Sequence, residues 1–224
     1  MPPTTAELDA LHQQWLDERT LLQAQVVAAQ HDRQIWGEMR AALVAADNPS
    51  ILLAHYARLY SSTQAITVRR IADPYAQKST ASLGRLVRRI RANPDVVSRD
   101  RYETYASRGV PSDDLVWHRA DRRSTYDAEF GDGPQIRKRV LDDWDTELKL
   151  IRSTVGRYAN KAVAHIDTDL DPADVPTFHD LHDSLESLSE ILISMTLLLD
   201  GSSLQSTTPV IQGDWKAPLR TALF

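Results

Sequence analysis

Apolar residues return at three- and four-residue steps over most of this chain, which is the spacing of one helix face. Thr5 is placed to cap a first helix, with Leu8, Leu11, Trp15, Leu22 and Val26 on its inner side, running to about His31. A second helical stretch, RQIWGEMRAALVAA, carries Ile35, Trp36, Met39 and Leu43 before DNPS breaks the chain. ILLAHYARLYSSTQAITVRRIAD resumes the pattern, and Asp73-Pro74 ends it, because a residue before proline is pushed out of the helical region. Ser79 or Thr80 is expected to open the next helix, ASLGRLVRRIRA, which stops before Asn93-Pro94. A short helix around residues 95–106 and another after VPSDD follow. FGDGPQ at 130–135 is read as a loop within one domain, since the helices beyond it still need partners for their apolar stripes.

The most regular periodicity lies in the last third of the chain. Val140, Trp144, Leu148, Ile151, Val155, Tyr158, Ala162 and His165 form one continuous face at four- and three-residue steps. After the acidic loop IDTDLDPADVP, Thr177 with Asp180 three residues on resembles a capping box with Asp in place of Glu. Leu181, Leu185, Leu188, Leu192, Met195 and Leu199 then make a second stripe. Two long striped helices joined by a turn read as an antiparallel hairpin. The second is apolar enough to be central in a bundle or to sit at a dimer interface. Residues 1–200 are therefore expected to form a single all-α domain, a helical bundle with this hairpin near its C-terminal end. Residues 201–224 read as an irregular tail that Trp215 and Leu219 dock onto the body.

Composition narrows the chemistry. The 224 residues contain no cysteine, which removes disulfides, thiolate nucleophiles and cysteine-held metal sites. That composition suits a cytoplasmic location. No apolar run approaches about 18 residues, so no membrane-spanning helix is expected, and the N-terminus lacks the pattern of a signal peptide. A formal net charge of -5 argues against sequence-blind nucleic-acid binding over the whole surface, though not against a local basic site. Of 26 basic residues only five are lysine. Arginine suits fixed geometry with carboxylates or phosphates.

Candidate chemistry concentrates in GRYANKAVAHIDTDLD, residues 156–171. Arg157, Lys161 and His165 are spaced by four and form a polar edge beside the apolar face. Two readings of His165 stand side by side. A histidine near a helix C-terminus faces orphan carbonyls, and Asp167 could bond its ring, so a structural role is sufficient. Alternatively His165 carries a proton near neutral pH, Arg157 or Lys161 steadies charge building on phosphorus, and Asn160 donates to a phosphate oxygen or a base. No metal or other cofactor is required if the 2′-hydroxyl of RNA is the attacking group. The runs Arg69-Arg70, Arg85 to Arg91, Arg119 to Arg123 and Arg137 to Arg139 each fit a solvated helix face, or a phosphate groove where two or more converge on His165. His55, Tyr56 and Tyr60 could line a cleft. His179 and His182 could join His165 on a metal, but such pairs are common on helix surfaces and no metal site is assigned. DTDLDPADVPTF fails as a calcium loop at Pro172 and Phe178.

The segment RYANKAVAHID resembles the signature of HEPN-domain proteins, in particular their abortive-infection branch. TVRRIAD at 67–73 and SLGRLVRRI at 82–90 resemble the earlier helices of that branch, and the likeness covers roughly residues 30 to 200. The family signature is an arginine, a polar residue directly after it, and a histidine a few residues on. Asn160 matches the polar residue and His165 the histidine, while the arginine position is Ala159. The resemblance implies an all-helical, dimeric, metal-independent endoribonuclease of a phage-defence or toxin–antitoxin system. It would have His165 as acid or base, Asn160, Arg157 and Lys161 on phosphate, and Asp167 orienting His165. Arg69 and Arg70 would contribute to RNA binding, since the family keeps supporting polar residues on an upstream helix. The alternative it leaves is a non-catalytic dimeric module that binds RNA or a protein partner such as an antitoxin.

Overall fold

A computed structural model describes residues 3–45, 51–75, 80–160, 171, 175–211, 214 and 217. Among these the chain is all helical, with no strand. Seven α-helices follow in order: α1 (Thr5–Ala45), α2 (Ile51–Ala72), α3 (Leu83–Ala92), α4 (Arg99–Tyr105), α5 (Leu115–Glu129), α6 (Lys138–Ile151) and α7 (Phe178–Asp200). A 3-10 turn, Pro94–Val97, precedes α4, and a π-helical turn, Arg152–Gly156, extends α6.

The leucine stripe of α7 is the centre of the bundle. Leu181, Leu185, Leu188, Leu192, Met195 and Leu199 are all buried. They pack chiefly on α1 and α2, with further contact to α4, α6 and the π turn. The stripe is thus covered within the chain, and the central position is the one realised. Burying such side chains contributes roughly 1.5–3 kcal/mol each. Thr177 caps the helix as expected. Its hydroxyl accepts from the Asp180 amide, and the Asp180 carboxylate accepts from the Thr177 amide. At the other end Gly201 takes the left-handed conformation at φ 73°, and its amide donates to Leu197. An added Cβ there would lie 2.4 Å from Ala106 Cβ, so both the backbone and the space require glycine.

Polar groups register the helices against one another. Gln30 Nε2 donates to Ser189 Oγ at 3.0 Å, and Gln64 Nε2 donates to the Ala29 carbonyl at 2.9 Å. The Tyr105 hydroxyl donates to the Leu198 carbonyl. Glu18, largely buried, is paired with both Arg85 and Arg89 and so ties α1 to α3.

Three sequence expectations change. The first two helical stretches are one uninterrupted helix of 41 residues, because nothing between His31 and Arg33 forbids the helical backbone. The cap of α3 is Ser82, not Ser79 or Thr80. The Ser82 hydroxyl accepts from the Arg85 amide at 3.2 Å and donates to the Asp73 carbonyl, a tie to the end of α2 that periodicity alone does not reveal. The long helix after FGDGPQ is α-helical only as far as Ile151, where the π turn begins. Trp215 and Leu219, expected to dock the tail, both lie outside the described residues.

Gly84 marks the closest approach in the core. An added Cβ would stand 2.6 Å from the Ala72 carbonyl oxygen and 2.8 Å from Pro74 N, both rigid backbone atoms. Gly84→Ala is expected to lower the unfolding free energy by about 1–3 kcal/mol in urea denaturation, as overpacking does. His12 gives a pH signature. It is buried, stacks on Tyr105 at 4.2 Å, and its Nε2 lies 2.7 Å from the Leu199 carbonyl, to which it donates. Burial pushes its pKa below the ordinary value of 6.5, against the opposing pull of that carbonyl. The unfolded chain therefore binds the proton that the folded site resists. This contribution is fully present above pH 6.5 and is lost as pH falls through the lower folded value. In thermal melts from pH 7.5 to 5, His12→Gln is expected to flatten the acid-side loss, with the remainder carried in part by His182, whose pKa burial also lowers.

Candidate functional site

A π turn carries the chain beyond α6, and the residues that follow divide between core and surface. Ser153 and Thr154 both donate their hydroxyls to the Leu150 carbonyl, at 2.8 and 3.0 Å. Side-chain bonds of this kind compete with the helical ladder and bend it. The ladder widens over Arg152–Gly156, and π turns inside α-helices are frequent at functional sites. The buried positions then run Leu148, Ile151, Val155 and Ala159. Tyr158, expected on the inner face, is only half-buried, and Ala159 takes its place with no exposure at all. Arg157 and Asn160 stand on the outside.

Those two residues line a hollow of about 440 Å³ with Arg69, Asp73, Lys149, Arg152, Ser153 and Gly156. Each cation arrives from a position fixed by packing. Arg69 follows buried Val68 in the last turn of α2, where positive charge is favoured by the helix dipole. Its stem crosses Gly156 closely enough that an added Cβ there would lie 3.9 Å from Arg69 Cγ. Lys149 and Arg152 follow buried Leu148 and Ile151 in α6 and its extension. Lys149 Nζ is held by Asp145 Oδ2 at 2.7 Å. The Arg152 guanidinium lies 5.5 Å from the centre of the Tyr75 ring. The Asp73 carboxylate accepts from the Tyr75 amide at 2.9 Å, closing the turn that follows α2.

Four cations and one amide side chain therefore converge on one open concavity, where Asp73 is the single lining carboxylate among the described residues. A phosphate or carboxylate group is the ligand such a surface attracts. Seven other arginines do different work. Arg19 pairs with Asp200, Arg33 with Glu186, Arg99 with Asp127, Arg101 with Asp9, and Arg123 with Glu103 through two nitrogens. Arg85 and Arg89 share Glu18. These are ties between elements. Arg69 forms no such ion pair among the described residues.

Arg157, Asn160 and Arg69, each singled out in the sequence, line this one hollow. It also grouped Arg70 with Arg69, but Arg70 lines a separate hollow with Leu21, Leu22, Thr67 and Ile71, roughly a quarter turn around α2. Lys161, His165 and Asp167 lie outside the described residues. Lys149, Arg152 and Asp73 were not anticipated. The hydroxyl pair and glycine of STVG, set inside a long helix, were the available signal for the first two.

The upstream aromatic and histidine candidates are elsewhere. Tyr60 lies against Trp36 and Phe178, with its hydroxyl 2.9 Å from His182 Nε2. Burial raises the pKa of Tyr60 well above the ordinary phenol value. His55 stands beside Tyr56 on the exposed side of α2. His179 Nε2 is 3.3 Å from Asp183 Oδ2. Among the described residues no three His, Asp or Glu side chains are placed to share a metal ion, and no helix is long and apolar enough to cross a membrane. No family model, no curated protein and no solved structure matches this chain.

Proposed function

We propose that this protein binds RNA through its phosphodiester backbone in the hollow between α2 and the π-extended α6, and cleaves it without a metal ion. The observation that carries the reading is the convergence of Arg69, Lys149, Arg152 and Arg157 with Asn160 on one open surface of a chain whose net charge is -5. The HEPN-like sequence signature supports the same reading from the other side, because Asn160 belongs to both. His165 follows Asn160 by five residues, a stretch that spans at most about 18 Å. In the proposed reaction the 2′-oxygen–phosphorus bond forms as the phosphorus–5′-oxygen bond breaks. The 2′-hydroxyl loses a proton, the departing 5′-oxygen gains one, and His165 carries one of these transfers. Asn160 and the arginines hold the phosphate oxygens and stabilise the added charge. Lys161 and Asp167 complete the set as a further phosphate contact and a partner for His165. A homodimeric, HEPN-like bundle with an α6–α7 hairpin, acting in a phage-defence or toxin–antitoxin setting, is the biological form of this proposal.

Ala159 favours a second reading. Its burial leaves no place for a guanidinium at the family's arginine position, so a non-catalytic module binding RNA is the alternative. The hollow serves both readings, and Arg157 and Arg152 are the cations that would replace the missing group in the first.

One set of assays separates them. Wild type is expected to cleave single-stranded RNA in excess chelator, leaving 2′,3′-cyclic phosphate ends, and His165→Ala to bind without cleaving. Arg69→Ala is expected to weaken binding about tenfold or more, the loss of one charge-assisted phosphate contact, and to reduce the slope of log affinity against log salt by about 0.7. Arg123→Ala, whose partner is Glu103, leaves binding unchanged. Binding without cleavage by wild type would establish the second reading. Equal losses in Arg69→Ala and Arg123→Ala would remove the hollow from both.

A further inference from the structure

A second hollow adjoins the first and shares two of its cations. It has a volume of about 330 Å³ and is lined by Tyr75, Arg88, Val87, Leu148, Lys149 and Arg152 among others. Lys149 and Arg152 line both concavities, so the two form one continuous surface. The chemistry changes across that shared edge. Both hollows carry charged side chains, the second also Arg91 and Asp145, but the second adds buried Val87 and Leu148 in its wall and an aromatic ring at its rim.

The ring is Tyr75, and its position calls for an explanation. It is 73% exposed, among the most exposed large apolar side chains described. It is nonetheless placed, since the turn holding it is closed by Asp73 and two guanidiniums lie near the ring. That of Arg88 is 5.2 Å from the ring centre and that of Arg152 is 5.5 Å away. Arg88 is also held by donating to the Pro74 carbonyl at 3.0 Å. Arg152 has the ring as its contact on this side and the phosphate hollow on the other. An aromatic face beside cations that track a phosphate chain is the arrangement by which single strands are bound without regard to sequence.

We propose that this second hollow is a nucleobase subsite, in which one base of a single-stranded RNA stacks on Tyr75 while the adjoining phosphate sits among Arg69, Arg152 and Arg157. The inference rests on the backbone-binding reading of the first hollow and adds the strandedness of its ligand. Arg152 turns from the ring towards the phosphate as the base arrives, so one side chain couples the two subsites. A base paired within a helix cannot present its face in this way, so duplex RNA is excluded from the second hollow.

The test compares two eight-nucleotide strands by fluorescence anisotropy. One is a mixed-sequence 2′-O-methyl RNA, which lacks the attacking hydroxyl and stays intact. The other has the same backbone with every base removed. Tyr75→Ala is expected to bind the base-bearing strand about tenfold more weakly and the abasic strand as wild type does. Tyr75→Phe retains wild-type affinity for both. Arg69→Ala weakens both strands alike. Tyr75 is exposed, so circular dichroism is expected to show all three variants folded. An unchanged affinity of Tyr75→Ala for the base-bearing strand would overturn the base subsite and leave the backbone reading standing. So would equal losses for both strands, which would make Tyr75 a support for Arg152 alone. Failure of wild type to bind either strand would overturn both proposals together.

Discussion

A widened helical turn, Arg152–Gly156, docked on α2, positions the residues that extend α6 between core and water. At 100° per residue a straight α-helix would set Tyr158 and Ala159 about equally near the stripe that holds Leu148, Ile151 and Val155. With the π turn in place, Ala159 takes the buried position, and Arg157 and Asn160 are presented beside Arg69. The cause is local and chemical. Two hydroxyls compete for the Leu150 carbonyl, and the next turn contains a β-branched valine and a glycine. The candidate site follows from that competition together with the close packing of α2 against the π turn.

The bundle around it is built to keep that crossing fixed. α7 supplies the apolar axis, and α1 spans its length and carries Glu18 to the arginines of α3. Ser82 joins the start of α3 to the end of α2, and Gly84 lets the two approach to backbone contact. Arginine is used in two distinct ways as a result. Eight guanidiniums, among them Arg19, Arg89 and Arg123, bridge helices through a carboxylate. Around Arg69 the described residues place one lining carboxylate, Asp73, among four cations, with Asp145 held on Lys149, so a protein of negative net charge keeps a local positive field.

Much of the architecture was legible in the sequence because it rests on short-range rules. The α7 stripe, the Thr177–Asp180 cap and the stops at Asp73-Pro74 and Asn93-Pro94 are written in local patterns and appear where those patterns put them. What was not legible depends on contacts between distant segments. Ser82 caps α3 partly because the Asp73 carbonyl is there to receive its hydroxyl. Arg70 could not be told from Arg69 until α2 was packed, since adjacent residues on a helix point about 100° apart. Lys149 and Arg152 lie outside the apolar stripe of their helix, so its periodicity gave no reason to single them out. Their role emerges only when the π turn is docked on α2.

The central claim is that Arg69 and Arg152 at this hollow are available to a phosphate while the arginines that tie helices are not. Arginine Nε–H resonances, followed by NMR as a short single-stranded 2′-O-methyl RNA is added, test it most directly. The account predicts that the signals of Arg69 and Arg152 shift and saturate together, while those of Arg89 and Arg123 stay in place. Shifts confined to the paired arginines, or absent from Arg69 and Arg152 at saturating ligand, would contradict it.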